Sequence, residues 1–340
     1  MKVLILGAGV IGTVYGAHLG AAGHAVSVLH HPPPTDDIAT GGLAARDVLT
    51  GNRAESAASI VPDTAADRYD LVLAAVRSDQ LAPASAQLTA LADAPTVLFF
   101  GNNPGGRAAI LAGIPGQVRL GFPGVSGVIR DGTAEYVRIR QQPTALPATS
   151  DPRLADMERA LRQRGFRVQR VTDMDGWLAY HAAFVACVAA ALYRCSTDAT
   201  RLAADRQTLT LMCEAVTEAF AALRQTGVTG LPRNLAVLHS PALTPVAVHY
   251  WARTMRSPAG ELCFAAHARH AQTEMRALGD QVTARLADSP ATSHLLQLLK
   301  ASPGHPTDEI NLGQAALGQG PAGPADQLTA FRGCAMHWHV

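Results

Sequence analysis

MKVLILGAGVIGTVYGAHLGAAGHAVSVLHH, residues 1–31, decides the fold. Val3 to Leu6 is an apolar run of the kind that makes a strand buried on both faces. Gly7, Gly9 and Gly12 follow as GxGxxG, and Val10 and Ile11 open a helix between them. Each glycine has a physical task. Gly7 permits the tight turn, Gly9 lets the backbone approach a pyrophosphate, and Gly12 lets the helix pack close to the strand. The free N–H groups and positive dipole at the helix start favour a diphosphate there. Ala25 to Leu29 reads as the next strand. Strand, glycine turn, helix and strand together predict a dinucleotide-binding unit; the competing reading is a glycine-rich turn that binds nothing.

The end of the second strand bears on the nucleotide. An NAD site usually carries Asp or Glu there to hold the ribose 2′-hydroxyl. Here Val28-Leu29 leads into His30-His31, and the first carboxylate is Asp36. A histidine does not repel a 2′-phosphate, so NADP is favoured over NAD, with His31 as the contact. In the competing reading both histidines are solvated. Pro32 to Pro34 stiffen the loop without identifying the ligand.

Working outward, Tyr69 to Val76 and Thr96 to Phe100 read as further buried parallel strands. They end in Arg77 and in Gly101-Asn102-Asn103, the positions where open α/β sheets hold ligands. Val118 to Gly121 reads as a short strand into a glycine-rich turn, 121–127, that contains Ser126. Tyr136 to Ile139 reads as an antiparallel edge strand, and Phe166 to Val171 as the last strand. Residues 36–66 show only a weak pattern. Helices are predicted over 153–165, 175–194, 201–225, 232–240, 243–256, 260–278 and 291–300. The expected organisation is α/β: a Rossmann-type parallel-sheet domain over 1–170, an all-α substrate and dimerisation domain over 171–300, and a Gly/Pro-rich tail over 301–340.

Composition narrows the function classes. A formal charge of +1 gives no electrostatic case for a nucleic-acid or membrane partner. The longest apolar run, Ala182 to Leu192, is shorter than the roughly 18–20 residues a bilayer needs and reads as a core helix. Met1 to Leu6 reads as a strand rather than a leader, and five scattered cysteines fit reduced thiols, so a cytoplasmic location is expected. No metal spacing is present; His337 and His339 read as part of a loose terminus. The long alanine-rich helix is a possible homodimer surface.

The layout resembles the ketopantoate reductase (2-dehydropantoate 2-reductase) family over roughly residues 1–300. GAGVIG at 7–12 fits its nucleotide turn, and VRSDQ at 76–80 its strand-end V-K-x-x-Q, with Arg77 where lysine is usual. FFGNNPGG at 99–106 resembles its asparagine-glycine segment, and RTMRSPAGEL at 253–262 its serine-to-glutamate segment. The resemblance implies Asn102 at the substrate and nicotinamide, Thr254 for the substrate-binding serine, Glu261 for the active-site glutamate, and His31 where an arginine often meets the 2′-phosphate.

One departure matters. The family's catalytic lysine follows a tryptophan by two residues, with an asparagine four further on. After Trp177 those positions hold Ala179 and Ala183, and Cys187 continues the face. With the usual acid gone, Tyr180, Glu261 and, less favoured, His181 are the candidate proton donors, and Arg253 is a candidate for a substrate carboxylate. Each also has a structural reading, as core aromatic, helix-start charge, packing histidine or solvated cation. The expected function is NADPH-dependent reduction of a small 2-oxo acid-like carbonyl or an imine, in a pocket enlarged by Ala179 and Ala183. The alternative is a catalytically silent NADP-binding sensor or scaffold.

Overall fold

The computed structural model describes residues 1–29, 42–61, 68–77, 88–89, 95–103, 105–107, 110, 117–286 and 292–300. His30, His31, Pro32 to Pro34, Ser78 to Gln80, Pro104, Cys334, His337, His339 and the 301–340 tail lie outside the described residues.

Strands β1 (Lys2–Leu6), β2 (Ala25–Leu29), β5 (Leu71–Ala74), β6 (Thr96–Phe100) and β7 (Gln117–Gly121) form the parallel centre of a nine-stranded sheet. Its order is β7-β6-β5-β1-β2-β4-β3-β9-β8. Helix α1 (Val10–Ala21) connects β1 to β2, which pair in parallel from Lys2↔Ala25 to Leu6↔Leu29. Buried on both faces, these strands need the unbroken apolar runs visible in the sequence. The α/β fold with a helical second half is therefore as predicted.

Several elements differ from expectation. Within the weakly patterned 36–66 stretch lie β3 (Gly42–Asp47) and β4 (Arg53–Val61), an antiparallel pair with β4 parallel to β2. Leu43, Ala45 and Asp47 point inward, a period-two pattern masked by small residues. The glycine-rich 121–127 turn runs straight into β8 (Val125–Arg130). β9 (Thr133–Arg138) is antiparallel to β8 as expected, but it lies inside the sheet, because β3 pairs on its other side; β8 is the edge. The last strand, β11 (Val168–Val171), pairs in parallel with β10 (Thr144–Pro147) in a separate two-stranded sheet.

Helix α2 (Pro152–Gln163) begins at Asp151, whose carboxylate accepts from Arg153 N at 2.9 Å. The helical half is built on α3 (Met174–Arg194), with Asp173 capping its start by accepting from Gly176 N. By length and composition α3 could cross a membrane, yet 89% of its most apolar window is buried inside the protein. Its alanine-rich surface lets α5 (Arg206–Gln225), α9 (Gln272–Arg285) and α10 (Ser293–Leu299) approach closely. The helix expected over 201–225 is two, α4 (Ala199–Ala204) and α5, broken where Asp205 caps α5. After α6 (Arg233–Leu238) and α7 (Thr244–Arg256), the helix expected over 260–278 is also divided. A π-helical segment Gly260–Ala265 runs into α8 (Ala266–His270), and α9 follows.

Candidate active site

The carboxyl ends of β1, β5 and β6 lie side by side. Gly7 has φ +94°, and a Cβ there would stand 2.6 Å from Ala75 O; one on Gly101 would stand 2.9 Å from Val76 O. Arg77, exposed, follows at the end of β5. A Cβ on Gly12 would meet Gly7 O at 1.9 Å and Ile5 Cγ2 at 2.9 Å, so α1 sits against the strand only because Gly12 has no side chain. Gly9, the N-cap of α1, has nothing within 4 Å of its virtual Cβ, and no side chain caps the helix. Two glycines are thus closed in by the protein, and the middle one faces open space beside uncapped N–H groups. That cradle fits a dinucleotide diphosphate, which would lie against Gly9, Val10 and Ile11.

The 121–127 segment is tied to the same helix. Tyr15 of α1 bonds Thr144 Oγ1 at 2.6 Å, and its oxygen accepts from Gly124 N at 2.9 Å. Burial pushes the Tyr15 phenol up, so it stays a neutral hydroxyl. Sequence reading missed Tyr15, which looks like any apolar face residue of a helix.

The helical half meets this end of the sheet at several places. Asp175, at the start of α3, accepts from Arg107 N at 2.5 Å, while Asn103 Nδ2 donates to Gly106 O. These bonds fix the turn carrying Asn102. Phe122 packs on His181 with ring centroids 4.3 Å apart, and His181 stacks on Trp177 at 4.9 Å. Ser126 of β8 donates to Leu262 O at 3.5 Å.

Asn102 is 8% exposed, and its Nδ2 donates to Glu274 Oε1 of α9 at 3.0 Å. Its Oδ1 is buried without a partner. A buried carbonyl-type acceptor left open costs about 1–3 kcal/mol, which a bound donor would recover. Glu274 is 5% exposed, where carboxylates are rare unless paired or functional.

Glu274 went unrecognised in the sequence, which named Glu261 instead. Glu261 lies in the π-helical segment, 38% exposed, and pairs with Arg269 on the surface. The carboxylate against Asn102 comes from α9, beyond α8. The QTE of 272–274 gave no periodic signal, and only the fold brings residues 172 positions apart into contact.

Tyr180 lies within the helical half. Its ring meets Phe220 edge-on at 5.4 Å, and its hydroxyl donates to Val228 O at 2.9 Å inside the helical half. Burial raises its pKa. His181 turns toward Phe122, and burial pushes it down to about 3, so it is neutral at pH 7 and walls the crevice rather than feeding it protons. Ala179 and Ala183 are 2% and 1% exposed, small residues in the core of α3. On α7, Arg253 is exposed and Thr254 half-buried, its carbonyl accepting from Ser257 Oγ. Among the described residues, no cluster could hold a metal ion.

Residues 3–150 match the sequence model of the family described as ketopantoate reductase PanE/ApbA. The match covers the N-terminal part of the chain, the glycine turn and the Asn102 segment included. Solved ketopantoate reductases extend the likeness of fold to both halves. A PanE/ApbA family ketopantoate reductase from Ralstonia eutropha JMP134 is 23% identical, with TM-score 0.67, over 88% of this chain and 97% of that one. A 2-dehydropantoate 2-reductase from Geobacter metallireducens GS-15 is 14% identical, with TM-score 0.69, over 88% and 98%. A D-mandelate dehydrogenase solved with NADH and anilino(oxo)acetate is 14% identical, with TM-score 0.66, over 89% and 97%. No curated protein matches the chain. The family resemblance carried by GAGVIG and FFGNNPGG therefore holds.

Proposed function

We propose that this chain is an NADPH-dependent reductase of a small 2-oxo acid, one bulkier and more apolar than ketopantoate, with an imine as the variant substrate. The observation that carries the reading is the Asn102–Glu274 contact beyond the glycine cradle: a buried, half-satisfied polar pair where the two halves meet. The cofactor, when bound, supplies a hydride. This chain's residues do the rest. Gly7, Gly9 and Gly12 admit the diphosphate, Asn102 presents an open acceptor to the reacting group, and Phe122, Trp177 and His181 exclude water beside it.

Substrate size rests on α3. Ala179 and Ala183 stand where the family pattern has a long lysine and an asparagine, which removes a cation and makes this face apolar. The D-mandelate dehydrogenase relative supports the same direction, since anilino(oxo)acetate is a 2-oxo acid derivative with an aromatic group. The preference for NADPH rests on His31 and the absence of an early carboxylate after β2. The test is oxidation of NADPH and of NADH by the purified chain with ketopantoate and a graded series of aliphatic and aromatic 2-oxo acids. Turnover rising with side-chain size, and faster with NADPH, is expected. Preference for ketopantoate, or for NADH, would contradict the corresponding part of the reading.

A further inference from the structure

The first turn of α3 carries two aspartates with different tasks. Asp173 caps the helix by accepting from Gly176 N at 2.9 Å. Asp175 is not needed for that, and its carboxylate reaches out of the helical half, where Oδ1 accepts from Arg107 N at 2.5 Å. The turn it meets is closed on itself. Gly106 N donates to Asn103 O at 3.2 Å, and Asn103 Nδ2 donates back to Gly106 O at 2.8 Å. Gly106 is buried, with φ +71°, and a Cβ there would stand 2.7 Å from Asp175 Oδ1. The carboxylate therefore packs on the bare face of Gly106 and binds the very next amide. Asn102 immediately precedes this closed turn, and Trp177, two positions after Asp175, begins the aromatic stack with His181 and Phe122.

We infer that Asp175 is a positioning residue for the reaction: it clasps the asparagine turn to the start of α3 and so fixes the spacing between Asn102 and the aromatic wall. The inference rests on the reductase reading above. It gives Asp175 no contact with cofactor or substrate; the residue acts through Asn102. A bond from an amide to a carboxylate is shorter and stronger than one to a neutral acceptor, which suits a clasp between two halves of a chain. Small displacements matter at such a place, because a misplacement of about 1 Å at the reacting groups can cost about a hundredfold in rate. An acidic residue in a first turn also steadies its helix through the dipole, whatever its side chain touches. Asp175→Asn separates the two effects. It loses the charge but keeps an oxygen that can accept from Arg107 N, whereas Asp175→Ala loses both.

Wild type, Asp175→Asn and Asp175→Ala, each as the full chain, are compared in NADPH affinity, in reduction of the best 2-oxo acid of the series, and in hydrogen exchange at the Arg107 amide. Asp175→Ala is expected to bind NADPH within about twofold of wild type and to lose about 10- to 100-fold in kcat/KM, most of which Asp175→Asn recovers. The Arg107 amide should exchange faster in Asp175→Ala and remain protected in Asp175→Asn. Gly106→Ala reaches the same clasp from the sheet side, should α3 not tolerate Asp175→Ala, and the same loss of kcat/KM is expected of it. A dipole effect alone would instead lower the melting temperature of both Asp175 variants alike and leave kcat/KM as in wild type. Wild-type kcat/KM in Asp175→Ala or in Gly106→Ala, or an Asp175→Asn protein as impaired as Asp175→Ala, overturns the positioning role and leaves the reductase reading standing. A wild type that binds NADPH and reduces none of the series overturns that reading, and the positioning role with it.

Discussion

Gly9 and Gly12 belong to one turn but answer to opposite constraints. The virtual Cβ of Gly12 collides with backbone at 1.9 Å, whereas that of Gly9 meets nothing. Gly12→Ala should therefore destabilise the fold by about 3 kcal/mol or more, as overpacking against rigid backbone does. Gly9→Ala should leave the melting temperature nearly unchanged and weaken NADPH binding about tenfold, or about 1.4 kcal/mol. Thermal unfolding beside a cofactor titration separates the two, and a Gly9→Ala protein that binds normally would show that the diphosphate lies elsewhere. The candidate acids Glu261 and Tyr180 divide in the same way. Glu261 and Arg269 form an exposed pair of the kind worth about 0–1 kcal/mol, so Glu261→Ala should leave kcat/KM within about twofold of wild type. Tyr180→Phe should cost about 1 kcal/mol in urea unfolding, for the lost bond to Val228 O, without changing the rate. The glycines were legible because a tight turn and a close approach demand that one residue type at fixed spacing. Glu274 was not, because nothing local marks a glutamate that faces an asparagine from the other half of the chain.

Elements were legible where a single force shaped them. β1, β2, β5 and β6 announce themselves as apolar runs because both faces are covered. β3 and β4 did not, since alanine and serine fill inward positions beside Leu43 and blur the alternation. The α4–α5 break has a local cause that apolar periodicity does not register. Asp205 accepts from Thr208 N at 2.9 Å and from Thr208 Oγ1 at 2.7 Å, starting a new helix while the apolar pattern continues. Asp205→Ala should cost about 1 kcal/mol in urea unfolding. These hydrogen bonds hold the Asp205 carboxyl below its ordinary range, so its contribution is complete above about pH 4 and fades as acid protonates it. The wild-type and Asp205→Ala stabilities should accordingly converge at low pH; a gap that persists there would assign the loss to something other than the cap.

At the scale of the whole molecule, burial makes three histidines neutral. His18, against Tyr136, and His181 are pushed down to about 3, and His239, beside Trp251, to about 4. The unfolded chain takes up these protons once pH drops below about 6.5, and the folded chain does not. Stability is therefore full above that pH and lost as pH falls toward 4, by about 1.4 kcal/mol per pH unit for each histidine. Urea midpoints at pH 7 and pH 5 measure this directly, and equal midpoints would mean that the rings are charged or wet in the fold. His18 and His181 flank the sheet and the crevice, so acid should loosen both halves together.

The crevice where the halves meet is also where the function is placed. The direct measurement of that placement is NADPH oxidation by wild type and by Asn102→Ala across the 2-oxo acid series. Turnover of at least one member is predicted, with a loss of about a hundredfold or more in Asn102→Ala while NADPH still binds. An Asn102→Ala protein as active as wild type, or a wild type that binds NADPH and reduces none of the series, would contradict the account.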